Sequence, residues 1–492
     1  MFKQSAVPLV FVAAALAASP SIELAGPQNP PGAPPTAAVN DVRSPTPRAA
    51  VYAQFCAGCH GPNLQGGSAT SLADDEWKHG GDDASVAKVI SEGVAGTTMA
   101  PFKTVLGEAQ IRELVFFIRE QASASKGRPE TNVDPDGQVV RSERQTVKLE
   151  VVARGLDTPW GLAFLPDGRL LITERPGRLR VVEKDRLLPP VAGVPQVWAV
   201  QDGGMLDVEV HPDYGRTGWI YLAFSEAGPE GSSMTRIVRG KIRDNAWVDQ
   251  HDIFKASPEL FYVGNIHYGT RFIFDREGHL FYSIGDRGHP QDAQDLSKPT
   301  GKIHRVNDDG SVPRDNPFFE RAGALGSIWS YGHRHNQGFG FDPQTGKLWA
   351  SEHGPTGGDE LNVIERGENY GWPIVSFGLE PGISKAHGEG LRPPAAYWNP
   401  SIAPAGMAFC SGTRYSGWRN HLLLGALGGQ QLRRVEVAGD AVLNQEVAFD
   451  RFGRVRDVVM GPDGFLYVVL NIPGQRLSDS TSGFVVRLVP QE

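Results

Sequence analysis

From about residue 146 onward, apolar residues alternate with polar ones in short runs separated by tight turns. One unit recurs six times: a small residue, an alternating stretch, a turn similar to Pro-Asp-Gly, and a second apolar strand. The six units are GLAFLPDGRLLIT from Gly161, GMLDVEVHPDY with WIYLAFS from Gly204, GTRFIFDREGHLFYSIGD from Gly269, GFGFDPQTGKLWASE from Gly338, GMAFCSG with HLLLGAL from Gly406, and RDVVMGPDGFLYVVL from Arg456. Period-two alternation around a turn is typical of a β-hairpin, and a repeated hairpin is typical of a repeat fold. The pattern predicts an all-β six-bladed β-propeller over residues 146–492.

Two further strands complete the predicted propeller. TVKLEVVA, from Thr146, precedes the first unit, and FVVRLV, from Phe484, belongs to the end of the chain. Pairing of these strands would close the ring and remove free sheet edges, which otherwise invite aggregation. A pair of packed β-sheets is the alternative fold for the same pattern.

The residues before the propeller follow a different pattern and are predicted to contain a small all-α domain, residues 47–123. Its last helix is expected from Glu108 to Gln121. Apolar residues recur there with the i, i+3, i+4, i+7 spacing of one helix face, at Ile111, Leu114, Val115 and Ile118. The polar, turn-rich residues 124–145 are predicted to be a linker.

The first segments of the chain are typical of an exported protein. Residues 1–19 combine an apolar run with a small-residue cleavage site, Ala15-Leu16-Ala17, and predict a signal peptide. An uncleaved N-terminal anchor is the alternative. Residues 20–46 are rich in proline and alanine, so an extended tether is expected. No later stretch reaches the ~20 apolar residues of a bilayer-spanning helix. We therefore expect a periplasmic or otherwise exported protein without a stable membrane span.

Composition argues against two classes of protein. The formal net charge of −8 argues against a nucleic-acid partner. Three cysteines are too few for a disulfide-stapled scaffold, and two of them belong to one motif. The third, Cys410, is expected to be a small buried apolar residue rather than a reactive thiol.

The motif CAGCH, from Cys56 to His60, is typical of covalent attachment of a c-type haem. The thiols of Cys56 and Cys59 would form thioethers with the haem, and His60 would bind the iron from one side. A zinc site would need further ligands, and no other cysteine lies nearby. Met99, in GTTMAPF, is the predicted second iron ligand, with His79 as the alternative. The motif therefore predicts an electron-transfer domain.

Polar residues also gather in the loops between the predicted strands of the propeller. A histidine with a pKa near neutrality can abstract a proton and a carboxylate can orient it, as His267 and Asp286 would. A turn with free carbonyl groups beside Glu360 suits calcium. Arginines suited to binding carboxylates are Arg334, Arg454 and Arg456. Each feature alone has an ordinary structural explanation, such as a surface ion pair, but their joint occurrence indicates a site.

Several long motifs of this region resemble the soluble glucose/sorbosone dehydrogenase family. They are PWGLAFLPDGRLLITERPGRLRVV, IGDRG, GKIHRVNDDGSVPRDNPF, SYGHR, EHGPTGGDELNVIERGENYGWP and RVRDVVMGPDG. The resemblance spans residues 150–490 and implies a periplasmic six-bladed propeller that oxidises aldoses with pyrroloquinoline quinone (PQQ) and calcium. The domain at residues 47–123 independently resembles a class I cytochrome c.

The resemblance implies roles for the matching residues. His267 would be the general base that takes the proton of the hydroxyl on sugar carbon 1 as hydride passes to the quinone, with Asp286 supporting it. The loop Leu427-Gly428-Gly429 would lie under the cofactor. The residues implied to pair with the carboxylates of PQQ are Arg334, Arg454 and Arg456.

Calcium bound to the quinone would act as a Lewis acid. In some members of the family, the main-chain carbonyls of the residues matching Gly354 and Pro355 hold that ion. In other members, a calcium ion lies at the residues matching Glu360 and Tyr370.

This chain departs from the family pattern at several site positions. The family usually has glutamine before Gly-Gly, whereas this chain has Asp202 there and Gln201 one place earlier. The Asn-Pro that follows the cofactor-binding arginine is His335-Asn336 here. Ile266 precedes the base in place of asparagine or aspartate, and Gly428 replaces a lysine of some glucose-oxidising members. The departures at Asp202 and His335 affect predicted cofactor contacts.

The motifs and their departures from the family pattern are compatible with three functions. The first is an enzyme that oxidises an aldose at carbon 1 to the lactone and passes electrons to its own haem, whose fusion raises its effective concentration. A cytochrome, an oxidase or a quinone pool would be the downstream acceptor. The second, motivated by Asp202 and His335, is a propeller that has lost the quinone and serves as a binding module beside the haem. The third is a calcium-dependent lactonase, which would need neither the arginines nor the haem.

Overall fold

The computed structural model describes residues 48–74, 76–125, 133–355, 357–378, 388–398, 401–472 and 482–491. The predicted signal peptide (residues 1–19) and tether (residues 20–46) lie outside these ranges. Among the helices that it describes, none is long and apolar enough to span a membrane. The α-helices are α1 (Arg48–Phe55), α2 (Ala57–His60), α3 (Asp83–Glu92), α4 (Glu108–Ser125) and α5 (Tyr214–Thr217). Short 3₁₀ helices cover Pro229–Gly231, Pro258–Leu260 and Pro290–Gln294.

The rest of the described chain is dominated by β-strands. In chain order they are β1 (Val139–Arg141), β2 (Thr146–Asp157), β3 (Pro159–Phe164), β4 (Leu170–Glu174), β5 (Arg178–Glu183), β6 (Arg186–Leu187), β7 (Met205–Val210), β8 (Ile220–Ala227), β9 (Ser232–Arg243), β10 (Ala246–Phe254), β11 (Tyr262–Val263), β12 (Gly269–Phe274), β13 (Leu280–Ile284), β14 (Lys302–Val306), β15 (Ile328–Tyr331), β16 (Asn336–Phe341), β17 (Leu348–Glu352), β18 (Asp359–Ile364), β19 (Ala396–Trp398), β20 (Pro404–Phe409), β21 (Leu422–Ala426), β22 (Gln431–Ala438), β23 (Ala441–Phe449), β24 (Arg454–Met460), β25 (Leu466–Asn471) and β26 (Ser482–Pro490).

These strands form six antiparallel sheets within the described ranges, and each sheet is one blade of a propeller. Blade 1 is β3–β6, blade 2 β7–β11, blade 3 β12–β15, blade 4 β16–β19 and blade 5 β20–β23. Blade 6 combines β24, β25 and β26 with β1 and β2. The first strand of each blade contacts the first strand of the next, and β24 contacts β3, so the ring is closed. The six-bladed propeller is confirmed, and the alternative of two packed sheets is wrong.

Ring closure follows the predicted pairing of the two ends of the repeat region. Strand β2 pairs antiparallel with β26, and Leu149 lies opposite Leu488, both fully buried. Strand β1 lies inside the segment predicted as a linker, residues 124–145, and pairs with β2 at the edge of blade 6. The closing blade thus takes strands from both ends of the propeller, which joins its first and last residues in one sheet.

The glycines that open the first and fifth repeats have a packing reason. A Cβ atom on Gly161 would lie 2.6 Å from Asp207 Oδ1, and one on Gly406 would lie 1.9 Å from Asp457 Oδ1. The innermost strands of neighbouring blades therefore approach too closely for any side chain at these positions. At the opposite end of the same strands, aromatic and apolar residues line a cavity of about 850 Å³, among them Phe274, Phe341, Phe409 and Met460.

The N-terminal helices form a separate apolar cluster, as expected for residues 47–123. Helix α4 begins at Glu108, as predicted, and ends at Ser125, four residues beyond the predicted Gln121. The predicted face of this helix is buried against α1 and α3, with Leu114 fully buried. These few packed helices are compatible with the predicted cytochrome c domain.

A second face of α4 packs against the propeller. Phe116 is buried in the apolar cluster that contains Trp349 and Trp398 of blade 4. Arg48 donates from Nη1 to the main-chain oxygen of Tyr397 at 2.9 Å, and its guanidinium group lies 4.5 Å from the centre of the Tyr397 ring. Arg48 also forms a buried ion pair with Glu120 at 3.0 Å. The helical domain therefore contacts the outer strand of blade 4.

This interface contains acidic groups that should make its stability depend on pH. Burial raises the pKa of Glu113 and of Glu120 to about 7, although Arg48 opposes the shift. A carboxyl group with a raised pKa favours the folded state at low pH, and this stabilisation is lost as the pH rises from about 4.5 to about 7. The loss is on the order of 3 kcal/mol per group.

We expect the variant Glu113→Gln/Glu120→Gln to show a weaker decrease of melting temperature between pH 5 and pH 7.5 than the parent protein. The matched control is Glu108→Gln, because Glu108 lies on the same helix with its side chain 94% exposed. Equal pH slopes in the parent and the double variant would contradict the assignment of the slope to these two groups.

Candidate active site

The predicted base and its carboxylate meet at the end of the ring where the innermost strands begin. His267 precedes β12 and Asp286 follows β13, so the hairpin places Nδ1 of His267 2.6 Å from Oδ1 of Asp286. Burial alone would raise the pKa of Asp286, but the hydrogen bond and charge of His267 lower it. An ionised carboxylate only accepts hydrogen bonds, so Nδ1 carries the proton and Nε2 retains a lone pair. The pair can therefore act as a general base.

Two residues outside the predicted set hold this pair in place. Trp372 donates from Nε1 to Oδ2 of Asp286 at 2.8 Å, and Asp286 is 1% exposed. Arg287 is also buried and donates to the main-chain oxygens of Ile266 and, at 2.7 Å, Gly264. His267 has a φ of +53°, a strained region for a residue with a side chain. The contacts of Arg287 restrain the loop that carries His267.

Positively charged residues converge beside the base. Arg334 donates from Nη1 to the main-chain oxygen of His353 at 3.3 Å and lies over the ring of Trp372. Arg456 donates from Nη1 to Oε1 of Gln337 at 3.3 Å, and its buried Nε has no hydrogen-bond partner among the described residues. Burial, followed by the charges of Arg271 and Arg454, lowers the pKa of Arg456 to about 9. This surplus of positive charge fits a ligand that carries carboxylates.

Asp202, at which the sequence departs from the family pattern, lies beside the loop of the base. Its Oδ2 accepts a hydrogen bond from the main-chain nitrogen of His267 at 3.3 Å. Arg175 binds the main-chain oxygen of the neighbouring Gln201. Asp202 also contributes negative charge near Arg456. The aspartate therefore supports the loop of the base, while its charge weakens the attraction for an anionic ligand.

The loop Leu427-Gly428-Gly429 lies close to the start of blade 5. The main-chain nitrogens of Leu427 and Gly428 donate to the oxygens of Ala403 and Ile402, each at 2.9 Å. Nε2 of His353 lies 2.8 Å from the oxygen of the next residue, Pro404. The loop therefore lies beside His353, whose main-chain oxygen accepts the hydrogen bond from Arg334.

The four residues predicted for calcium share one small cavity. Gly354, Pro355, Glu360 and Tyr370 line a space of about 20 Å³ together with Glu352 and Arg334. Burial, followed by the charge of Glu352, raises the pKa of Glu360 well above its usual value. A cavity of this size holds about one water-sized species, and its carboxylate and carbonyl oxygens fit calcium. The hydroxyl of Tyr370 already donates to Val363 at 2.5 Å.

The residues of CAGCH and Met99 lie in the helical domain, apart from the propeller site. Nδ1 of His60 lies 2.9 Å from the main-chain oxygen of Thr70, so it donates there and leaves Nε2 for a metal. Neither Cys56 nor Cys59 forms a disulfide bond, so both sulfur atoms remain for thioether bonds. Cys56 and Met99 are partly buried against the apolar cluster, whereas the alternative ligand, His79, is exposed. This donor set beside an apolar surface fits a covalently attached haem.

Cys410 has the environment expected from the sequence. It is 1% exposed within an apolar cluster, and burial raises the pKa of its thiol to about 12. A reactive thiolate is disfavoured at this position because a high pKa keeps the thiol protonated.

Sequence reasoning missed several residues that organise the site. Arg271 lies between Asp207 and Asp457 at 3.0 Å from each, and donates to the main-chain oxygens of Gln337 and Arg456 at 2.8 Å. It therefore joins blades 2, 3, 4 and 6 at the centre of the ring. The sequence feature that could have indicated this role is the arginine within the otherwise apolar strand GTRFIF.

The comparisons with known proteins cover both parts of the chain. The family described as Glucose / Sorbosone dehydrogenase matches residues 156–478. The family described as Cytochrome C oxidase, cbb3-type, subunit III, matches residues 44–118.

Individual relatives match the propeller over most of their length. The aldose sugar dehydrogenase YliI of Escherichia coli (strain K12) is 41% identical over 357 residues, which is 70% of this chain and 94% of that protein. The apo-form structure of the soluble aldose sugar dehydrogenase from Escherichia coli matches with 38% identity and a TM-score of 0.64, covering 70% of this chain and 100% of that one. The PQQ-bound aldose sugar dehydrogenase from Streptomyces coelicolor matches with 30% identity and a TM-score of 0.57, covering 72% of this chain and 100% of that one. The chain therefore belongs to the glucose/sorbosone dehydrogenase family and carries an N-terminal cytochrome c domain of the cbb3 type.

Proposed function

We propose that this chain is a PQQ- and calcium-dependent aldose dehydrogenase that oxidises carbon 1 of the sugar and delivers the electrons to its own haem c domain. The observation that carries the proposal is one juxtaposition: an oriented histidine base, His267 with Asp286, lies beside buried positive charge centred on Arg456. A lactonase would need no such charge. The family membership and the PQQ-bound Streptomyces relative support the same function.

The residues of the base would move one proton. Nε2 of His267 would take the proton of the hydroxyl on sugar carbon 1, because Nδ1 is engaged by Asp286. Asp286 would stabilise the positive charge that forms on the ring, and Trp372 would keep the carboxylate in place. PQQ, when bound, supplies the electrophilic carbonyl that accepts hydride, and calcium supplies Lewis acidity. Loss of the proton and the hydride converts the aldose to the lactone.

The binding residues would orient the cofactor and the ion. Arginine presents a planar fork that matches a carboxylate, and such charge-assisted hydrogen bonds are stronger than neutral ones. The residues proposed to hold the carboxylates are Arg334, Arg454 and Arg456. The residues proposed to hold calcium are Gly354, Pro355, Glu360 and Tyr370. The loop at Leu427-Gly428-Gly429 would form the surface under the cofactor, where glycine allows close approach.

The helical domain would be the electron outlet. Cys56 and Cys59 would attach the haem, and His60 and Met99 would bind its iron from opposite sides. The hydrogen bond from Arg48 to the main-chain oxygen of Tyr397 and the packing of Phe116 hold this domain against blade 4. We propose an exported location and a downstream acceptor such as a cytochrome, an oxidase or a quinone pool.

The proposal is tested by equilibrium titration of the haem-containing protein, freed of calcium and PQQ by chelation, with PQQ in the presence of calcium. We expect saturable binding, weakened about 10- to 100-fold in Arg456→Gln, because a charge-assisted hydrogen bond contributes about 1.5–3 kcal/mol. Arg451→Gln is the matched control, since the Arg451 side chain is 59% exposed. Absence of saturable binding in the parent protein would favour a binding module that has lost the quinone.

A further inference from the structure

The histidine that replaces the family's asparagine lies directly beside the proposed base. His335 is 7% exposed, and its ring centre lies 5.1 Å from that of His267, with the ring planes 30° apart. Its ring centre also lies 5.1 Å from that of His353. The chemistry that His335 offers at this position depends on which of its ring nitrogens carries the proton.

The contacts of Gln337 determine the orientation of its own amide group. Its Oε1 accepts from Nη1 of Arg456 at 3.3 Å, and its Nε2 donates to the main-chain oxygen of Gly269 at 3.3 Å. A guanidinium group only donates and a carbonyl oxygen only accepts, so the amide oxygen and nitrogen cannot be exchanged. The same Nε2 lies 2.7 Å from Nε2 of His335. Since the amide nitrogen is a donor, Nε2 of His335 must accept.

The proton of neutral His335 is therefore on Nδ1. A protonated ring would place a second N–H against the amide N–H of Gln337, and the groups around it already carry positive charge. Burial is the largest cause that holds the pKa of His335 well below 6.5, and the guanidinium groups of Arg334 and Arg456 lower it further. Within the described ranges, no hydrogen bond engages Nδ1 of His335. A neutral ring with one available N–H donor thus lies beside the base.

We propose that Gln337 is a positioning residue that holds His335 as the neutral Nδ1–H tautomer, and that this N–H donates to a carbonyl or carboxylate oxygen of the cofactor beside His267. The second half of this inference rests on the proposed function, whereas the tautomer does not. The arrangement also keeps a further positive charge away from His267, whose basicity a charged neighbour would lower. An N–H donor at this position gives His335, which stands where the family has asparagine, a specific role in cofactor binding.

The tautomer is tested by NMR of the full haem-containing chain labelled with ¹⁵N-histidine, with His335→Leu used to assign the signal. We expect His335 to show a protonated Nδ1 and an unprotonated Nε2 at pH 7, with no titration step near pH 6.5. A protonated Nε2 or a cationic ring at pH 7 would overturn the proposal. This readout requires neither PQQ nor activity, so it stands even if the proposed function fails.

The role in cofactor binding is tested by a double-mutant cycle in the PQQ titration. His335→Leu is expected to weaken PQQ binding about three- to tenfold, the contribution of one hydrogen bond. Gln337→Leu should weaken binding through His335 and through Arg456, so its effect in the His335→Leu background should be clearly smaller than in the parent. Fully additive effects, or unchanged binding in His335→Leu, would overturn this part of the proposal. Melting temperatures of all variants report whether the fold is retained.

Discussion

Replacement of His267 by glutamine is expected to lower kcat with an aldose by about 10²–10⁴-fold, the usual contribution of a general base. Glutamine has no lone-pair nitrogen that could take a proton, although it can still contact Asp286. Affinity for PQQ should change little, because the carboxylate-binding arginines are untouched. The measurement is steady-state turnover of the PQQ- and calcium-loaded protein with an artificial electron acceptor, next to a PQQ titration of the same variant.

Two further variants separate catalysis from general damage in this experiment. His251→Gln is the matched control, since His251 is an exposed histidine on the outer strand β10. Asp286→Asn should lower kcat strongly as well, because an amide can donate to Nδ1 and so favours the wrong tautomer of His267. A His267→Gln enzyme with nearly unchanged kcat would show that another group takes the proton.

Replacement of both motif cysteines, Cys56→Ser/Cys59→Ser, is expected to abolish covalent haem attachment and with it all reduction of haem by sugar. Both thioether bonds need these thiols, and no neighbouring cysteine can substitute for them. The propeller should keep its PQQ affinity and its turnover with an artificial acceptor, since its site shares no residue with the motif. The measurements are the haem absorption of the denatured protein and turnover with the two kinds of acceptor.

Cys410→Ala is the matched control for the double cysteine variant. This thiol is buried in the propeller core, so its loss should cost some stability but leave the haem content unchanged. Covalent haem in the Cys56→Ser/Cys59→Ser protein would contradict the assignment of the motif. Loss of turnover with the artificial acceptor would contradict the separation of the two sites.

The propeller was predictable from the sequence because its information is local and repeated. Each unit carries its own alternation and its own turn, and the glycine that opens a unit reports the close approach of the next blade, as at Gly161 and Gly406. The pairing of β2 with β26 was also predictable, since a ring of hairpins leaves two edges to be joined. The strand β1 was missed because three residues in a polar segment carry little alternation.

The contact between the two domains was harder to predict because its residues are distant in sequence. Arg48 and Tyr397 are separated by 349 positions, and nothing near either one indicates the other. One local signal existed: Phe116 lies off the predicted apolar face of α4, and it packs against the propeller instead. An apolar residue on the polar side of an amphipathic helix indicates a second partner.

Within the site, motif resemblance indicated which residues to consider, and the structure added how they are held. The approach of His267 to Asp286 follows from their positions at the two ends of one hairpin. The tautomer of His335 cannot be predicted in this way. It depends on the amide of Gln337, which is oriented by Gly269 of blade 3 and Arg456 of blade 6. The central role of Arg271 likewise requires contacts between several blades, so a single strand sequence shows only an unusual buried charge.

The central claim, that sugar oxidation in the propeller reduces the haem of the same chain, is tested most directly by anaerobic stopped-flow spectroscopy. The haem-containing protein, loaded with PQQ and calcium, is mixed with individual aldoses while the haem absorption bands are followed. We expect the haem to be reduced with a rate constant that is independent of protein concentration and that falls strongly in His267→Gln. A haem that stays oxidised across a broad panel of aldoses, in protein shown to bind PQQ, would contradict the central claim.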